Sequence, residues 1–178
     1  MKLLGISGSL RPASYNTALL RNVDAELELW EELKELPPYD EEDDVEPAPP
    51  AVERIRAAVA AADAVLFSTP EYNASVPGQL KNAVDWLSRP RGAAALHNKP
   101  VAVVGASTGM FGAVWAQADL RRILKTAGAR VVEAELPVAK AHEAFDEDGR
   151  LLDDEVHAKL QEIVAQLAAE ASPALVAA

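Results

Sequence analysis

The chain has 178 residues, 49% of them apolar and 25% charged, a composition that suits one globular domain rather than a disordered chain. Twenty-eight Asp and Glu outweigh seventeen Lys and Arg, and the net charge of -11 repels nucleic-acid backbones and anionic membrane surfaces. Cysteine is absent, which excludes disulfides, thiol nucleophiles, iron–sulfur clusters and cysteine-held metals together.

The first apolar run, Leu3 to Ser7, is short enough for a strand and too short for a secretory signal. The expected location is cytoplasmic. A polar loop follows, then a helix expected from Asn16 to Val23. Leu27 to Trp30 alternates at period two and reads as a second strand. Residues 37–50 are rich in proline and acids and read as a solvated loop. Val52, Ile55 and Val59 mark one buried helical face, and Ala64 to Phe67 is apolar on both faces, as a central parallel strand should be.

Leu80, Ala83, Val84 and Leu87 give another helix, followed by the doubly apolar strand Val101 to Val104. Leu120, Ile123, Leu124 and Ala127 form the next helical stripe, with Gly128 placed to end it. Val131 to Leu136 predicts a fifth strand, and Val156 to Leu167 the buried stripe of a closing helix. Five strands alternating with helices imply an α/β fold with a five-stranded parallel sheet covered on both faces, without a domain boundary between residues 1 and 178. Such sheets bind ligands beyond the carboxyl ends of their strands.

Three loops at those ends carry the polar chemistry. Gly8 to Asn16 packs Ser9, Arg11, Ser14 and Asn16 ahead of the first helix, a donor set suited to a phosphate. Helix capping by Ser14 or Asn16 accounts for the same residues equally well. The spacings of the dinucleotide and triphosphate loops are absent. Ser68 to Gly78 is stiffened by Pro70 and Pro77 and holds Glu71, Tyr72, Asn73 and Ser75 between them, which suits the edge of a flat heterocycle. Gly105 to Gly112 has three glycines in eight residues around Ser107 and Thr108, so its backbone can approach a ligand closely.

Taken in order, Gly8-Ser9-Leu10-Arg11 with Ser14 and Asn16, Pro70-Glu71-Tyr72-Asn73 with Ser75, Pro77 and Gly78, Leu80 to Ala83, Asp85-Trp86 and the Gly105–Gly112 loop resemble the NADPH-dependent FMN reductases. That family includes quinone, chromate and azo-dye reductases, and the resemblance spans roughly residues 1 to 135. It implies a flavodoxin-like doubly wound fold, bound FMN, NADPH or NADH as electron donor, a small-molecule electron acceptor such as a quinone, and a homodimer or homotetramer. By the resemblance, Ser9, Arg11, Ser14 and Asn16 hold the flavin phosphate. Pro70, Glu71, Tyr72 and Asn73 line the ribityl chain and ring, and Ser107, Thr108 and Gly109 approach the pyrimidine edge. The chemistry then belongs to flavin N5, without a catalytic side chain, and donor and acceptor are expected to alternate in ping-pong order. A flavodoxin-like electron carrier and a non-catalytic flavin-binding protein are the competing readings.

Other clusters read as structural. His97, His142 and His157 lack metal-ligand spacing, so no metal is expected. Asp146 to Arg150 is read as a turn, because Arg150 stands where a calcium loop needs a ligand. Trp86 and Trp115 are expected in a core or subunit interface, and Lys81 with Asp85 as a helical ion pair.

Overall fold

The computed structural model describes residues 1–172. Strands β1 (Leu3–Ser7), β2 (Leu27–Trp30), β3 (Ala64–Ser68), β4 (Pro100–Ala106) and β5 (Arg130–Val131) form a sheet in the order β2-β1-β3-β4-β5. Every pairing is parallel. β1, β3 and β4 are buried along their whole length, which is why their sequences run apolar without alternation.

Successive side chains of these strands point to opposite faces and feed two cores. Leu4, Ile6, Val65, Phe67, Val101 and Val103 meet helices α2 (Pro50–Ala61), α3 (Gly78–Leu87) and α4 (Val114–Thr126) through Ile55, Leu80 and Leu120. Leu3, Leu66, Ala102 and Val104 meet α1 (Tyr15–Arg21) and, beyond the four-residue α5 (Ala141–Ala144), α6 (Asp154–Ala171) through Leu19, Leu160 and Ile163. Burying each such leucine or isoleucine contributes about 1.5–3 kcal/mol. No helix among the described residues is long and apolar enough to cross a membrane.

The chain leaves β1 outward to β2 and returns to β3 on the other side of β1. This places the topological switch between β1 and β3. The arrangement is the flavodoxin-like doubly wound sheet that the sequence predicts.

Three local expectations are corrected. The fifth strand is not continuous over 131–136: β5 pairs β4 at Val101, and a separate short strand, β6 (Pro137–Val138), pairs it at Gly105. Six residue steps from Val131 to Pro137 face four on β4, so the intervening chain must bulge. Buried side chains of α4 stabilise the bulge. Gln117 accepts from the Leu136 N–H (3.2 Å) and donates to the Gly112 carbonyl (3.0 Å), and Arg121 donates to the Ala134 carbonyl (3.2 Å).

The 37–50 segment is anchored at its start rather than solvated throughout. Trp86 Nε1 and Asn82 Nδ2 donate to the Pro37 carbonyl at 2.9 and 2.8 Å, Tyr39 packs edge-on against Trp86, and Arg56 pairs with Asp44 at 2.8 Å. Glu41, Glu42 and Asp43 remain exposed. Helix α1 stops at Arg21 because Asn22 caps it, donating to the Ala18 and Gly149 carbonyls.

Gln117→Ala should leave the Leu136 N–H and the Gly112 carbonyl without partners in the interior. A loss of about 2 kcal/mol or more is expected in urea unfolding. An unchanged midpoint would show that the bulge does not depend on this side chain.

Candidate functional site

The loops after β1, β3 and β4 meet at the carboxyl edge of the sheet. Ser9, Arg11, Ser14, Asn16, Pro70, Glu71, Tyr72, Ser107 and Thr108 line one cavity of about 110 Å3 there, joined by Tyr15 and Ala106. Asn73 and Gly109 lie outside that wall. Tyr15 was not singled out from sequence, although it stands between Ser14 and Asn16. Its ring stacks on Phe145 at 5.6 Å.

The hydrogen bonds separate residues that hold the loops from residues free to meet a ligand. Ser14 caps α1, its Oγ accepting from the N–H groups of Asn16 and Thr17 at 3.2 and 3.3 Å. Asn16 is buried and ties α1 to two strands. Its Oδ1 accepts from Ser68 Oγ (2.9 Å) and the Ala106 N–H (3.0 Å), and its Nδ2 donates to the Ala106 carbonyl (2.9 Å). One Nδ2 proton remains available, so Asn16 positions the cleft more than it lines it. Both capping and cleft-lining, left open by the sequence, therefore apply to this loop.

Arg11 is exposed, and its guanidinium donates to the Ala13 carbonyl at 3.3 Å. Among the described residues no carboxylate lies within ion-pair distance of it.

Glu71 faces α4. Its Oε2 accepts from the Trp115 and Ala116 N–H groups, both at 3.0 Å. Helix α4 needs this acceptor because its own capping position, Ala113, has φ 61 and no side-chain oxygen, a deficit worth about 0.5–2 kcal/mol. At the other end of the same loop, Ser75 Oγ donates to Asp119 Oδ2 at 2.6 Å. Tyr72 and Ser75 exchange backbone hydrogen bonds of 3.0 and 3.1 Å around Asn73 and Ala74, whose φ values are 52 and 59. That is the conformation of a two-residue type I′ turn, and it is strained for alanine.

In the glycine loop the sequence reasoning holds unevenly. Gly112 has φ 57, and a Cβ there would stand 2.4 Å from the Pro137 carbonyl carbon, so the fold itself requires glycine. Gly109 has no steric neighbour closer than Ser107 Oγ at 3.5 Å. The Ser107 N–H donates to the Val138 carbonyl and the Gly109 N–H to Ser107 Oγ, which leaves Thr108 as the amide of this trio without a protein acceptor among the described residues.

The histidines form no metal cluster among the described residues, and Asp146 to Arg150 is a turn closed on Asp146 Oδ1. Lys81 and Asp85 pair at 2.7 Å and Trp86 is fully buried, but Trp115 is 48% exposed and so is not a core residue.

The cavity wall combines the hydroxyls of Ser9, Ser14, Ser107 and Thr108 with the Arg11 guanidinium, and its only carboxylate is engaged by α4. Such a donor set fits a phosphate ester. A polar cleft at the β1/β3 switch of a doubly wound parallel sheet places the protein in the flavodoxin-like class.

The comparisons with known proteins narrow the class. The model of the family described as NADPH-dependent FMN reductase matches residues 1–143. An NAD(P)H-dependent FMN reductase of Pseudomonas aeruginosa is 44% identical over 169 residues, covering 91% of this chain and 90% of its own. A quinone reductase of Pseudomonas putida is 40% identical over 154 residues, covering 83% of each chain. The solved structure of FerB, a flavoenzyme NAD(P)H:(acceptor) oxidoreductase from Paracoccus denitrificans, superposes with a TM-score of 0.81 at 34% identity, covering 96% of this chain and 97% of that one. The chain belongs to the NADPH-dependent FMN reductase family. It is an oxidoreductase that works with FMN and a nicotinamide donor.

Asp119 offers a test of the loop's attachment. The Ser75 hydroxyl, and then Arg122, hold its carboxyl below the usual carboxylate range. A lowered folded value means that its contribution is complete above about pH 4, the unfolded value, and is lost as pH falls through the folded one. The stability gap between the wild type and Asp119→Asn should therefore be constant from pH 5 to 8 and shrink below about pH 4 in urea titrations. A gap unchanged down to pH 3 would contradict this attachment.

Proposed function

We propose that the chain oxidises NADH or NADPH and reduces a quinone or similar small acceptor, using FMN held by its three loops. The observation that carries this reading is the cavity between α1 and the loops after β3 and β4, lined by hydroxyls and the Arg11 guanidinium, in which the Glu71 carboxylate accepts two N–H groups of α4. Ser9, Arg11, Ser14 and the free Nδ2 proton of Asn16 would hold the phosphate. Pro70, Tyr72 and Asn73 would line the ribityl chain and ring, with Glu71 engaged on α4 between them, and Ser107 to Gly109, above all the Thr108 N–H, the pyrimidine edge. A cavity of about 110 Å3 is too small to enclose a whole mononucleotide. The ring would therefore lie outside it, against the loops that carry Tyr72 and Met110.

When bound, FMN supplies the hydride acceptor and donor, a chemistry that amino-acid side chains do not provide. The protein's work is to position it, to offer amide donors toward negative charge and to leave one side open. With one side covered by the loops, donor and acceptor use the same opening in turn. Double-reciprocal plots at several acceptor concentrations should then be parallel, and intersecting lines would contradict the single opening. Exposed Met110, Phe111 and Trp115 also support a homodimer or homotetramer, which light scattering would measure.

The direct test is spectroscopic. Protein mixed with FMN should show an oxidised-flavin spectrum that bleaches anaerobically on adding NADH or NADPH; protein that stays colourless with excess FMN would end the proposal. Arg11→Ala removes charge-assisted hydrogen bonds worth roughly 1.5–3 kcal/mol and should weaken FMN binding about tenfold or more. Riboflavin, without the phosphate, should be almost unaffected. Equal losses for both ligands would assign Arg11 to folding instead.

A further inference from the structure

We propose that Glu71 is a positioning residue, which sets the pose of the cofactor-facing loop by clamping it to α4 and does not itself touch the flavin. The placement of its carboxylate carries the proposal. One oxygen receives two N–H groups of the first turn of α4, a helix whose own capping residue has no side-chain acceptor. At the cavity wall the negative charge of Glu71 would repel a phosphate, and the two N–H groups at the N-terminus of α4 offset that charge.

A second tie fixes the other end of the loop. Asp119, one turn further along α4, receives the Ser75 hydroxyl and is itself held by Arg122. Between the two ties run Asn73 and Ala74 in left-handed backbone. The loop therefore cannot slide along α4 without breaking one carboxylate contact or the other. Because α4 follows directly from the Gly105–Gly112 loop, the loops after β3 and β4 form one body.

The inference rests on the flavin reading only for the identity of the ligand. Two substitutions separate positioning from contact and from charge. Glu71→Gln keeps an oxygen able to receive both N–H groups, whereas Glu71→Ala removes it. The measurements are FMN titration of each apoprotein and amide hydrogen exchange at Trp115, Ala116 and residues 72–75. Positioning predicts that Glu71→Ala weakens FMN binding at least tenfold and speeds exchange in both segments. Glu71→Gln should remain within threefold of the wild type in binding and exchange.

Faster exchange at Trp115 and Ala116 with FMN binding intact would reduce Glu71 to a simple helix cap. A glutamine variant as impaired as the alanine one would show that the negative charge itself acts. Either result overturns the proposal. If Glu71→Ala does not fold, Ser75→Ala breaks the second tie, and unchanged FMN binding in that variant would equally overturn it. Should the wild type take up no FMN, the flavin reading falls, while exchange in the two segments still judges the clamp.

Discussion

A parallel sheet buried on both faces leaves its own strands nothing to offer a ligand. β1, β3 and β4 point most of their side chains into one of two apolar cores, and the edges of the sheet carry β2 on one side and the short β5 and β6 on the other. Polar groups can converge only where the strands end. The reversal of strand order at β1 and β3 opens a crevice there, because the connections leave these neighbours in opposite directions. The position of the candidate site thus follows from how the cores are built.

Most of the polar side chains at that edge bind the protein to itself. Asn16 joins α1 to the ends of β3 and β4, Glu71 and Asp119 fasten one loop to α4, and Gln117 fastens α4 to the bulge before β6. All are long-range bonds, and those of Asn16, Glu71 and Gln117 satisfy backbone groups as well as fixing geometry. What remains for a ligand is a smaller set: hydroxyls, the exposed Arg11 guanidinium and the Thr108 amide. A rigid frame of this kind suits an enzyme whose cofactor carries the reaction, since the protein contributes by orienting it.

Features that depend on local pattern were legible in the sequence. Continuous apolar runs marked the three central strands, and i, i+3, i+7 spacing marked the helices, because both patterns express burial of adjacent residues. The three loops could be located from strand ends alone, and the family from their motifs. What could not be read was the choice of distant partner. Val131 to Leu136 looks like a strand, and only Gln117 and Arg121 on α4 explain why its middle bulges. The acids of residues 37–50 suggested solvation, whereas Pro37 and Tyr39 are held by Asn82 and Trp86, more than forty positions away. Glu71 carries the motif of a cofactor loop and is engaged as a helix cap. No periodicity in its neighbourhood distinguishes the two.

The central proposal is that the cleft lined by Ser9, Arg11 and Ser14, with Glu71 engaged on α4, receives the phosphate end of FMN. A crystal structure of the protein with FMN tests it most directly. The account predicts the phosphate within hydrogen-bond distance of Ser9 and Arg11, with the Glu71 carboxylate still receiving the Trp115 and Ala116 N–H groups. FMN seated elsewhere, or Glu71 released from α4 to touch it, would contradict the account.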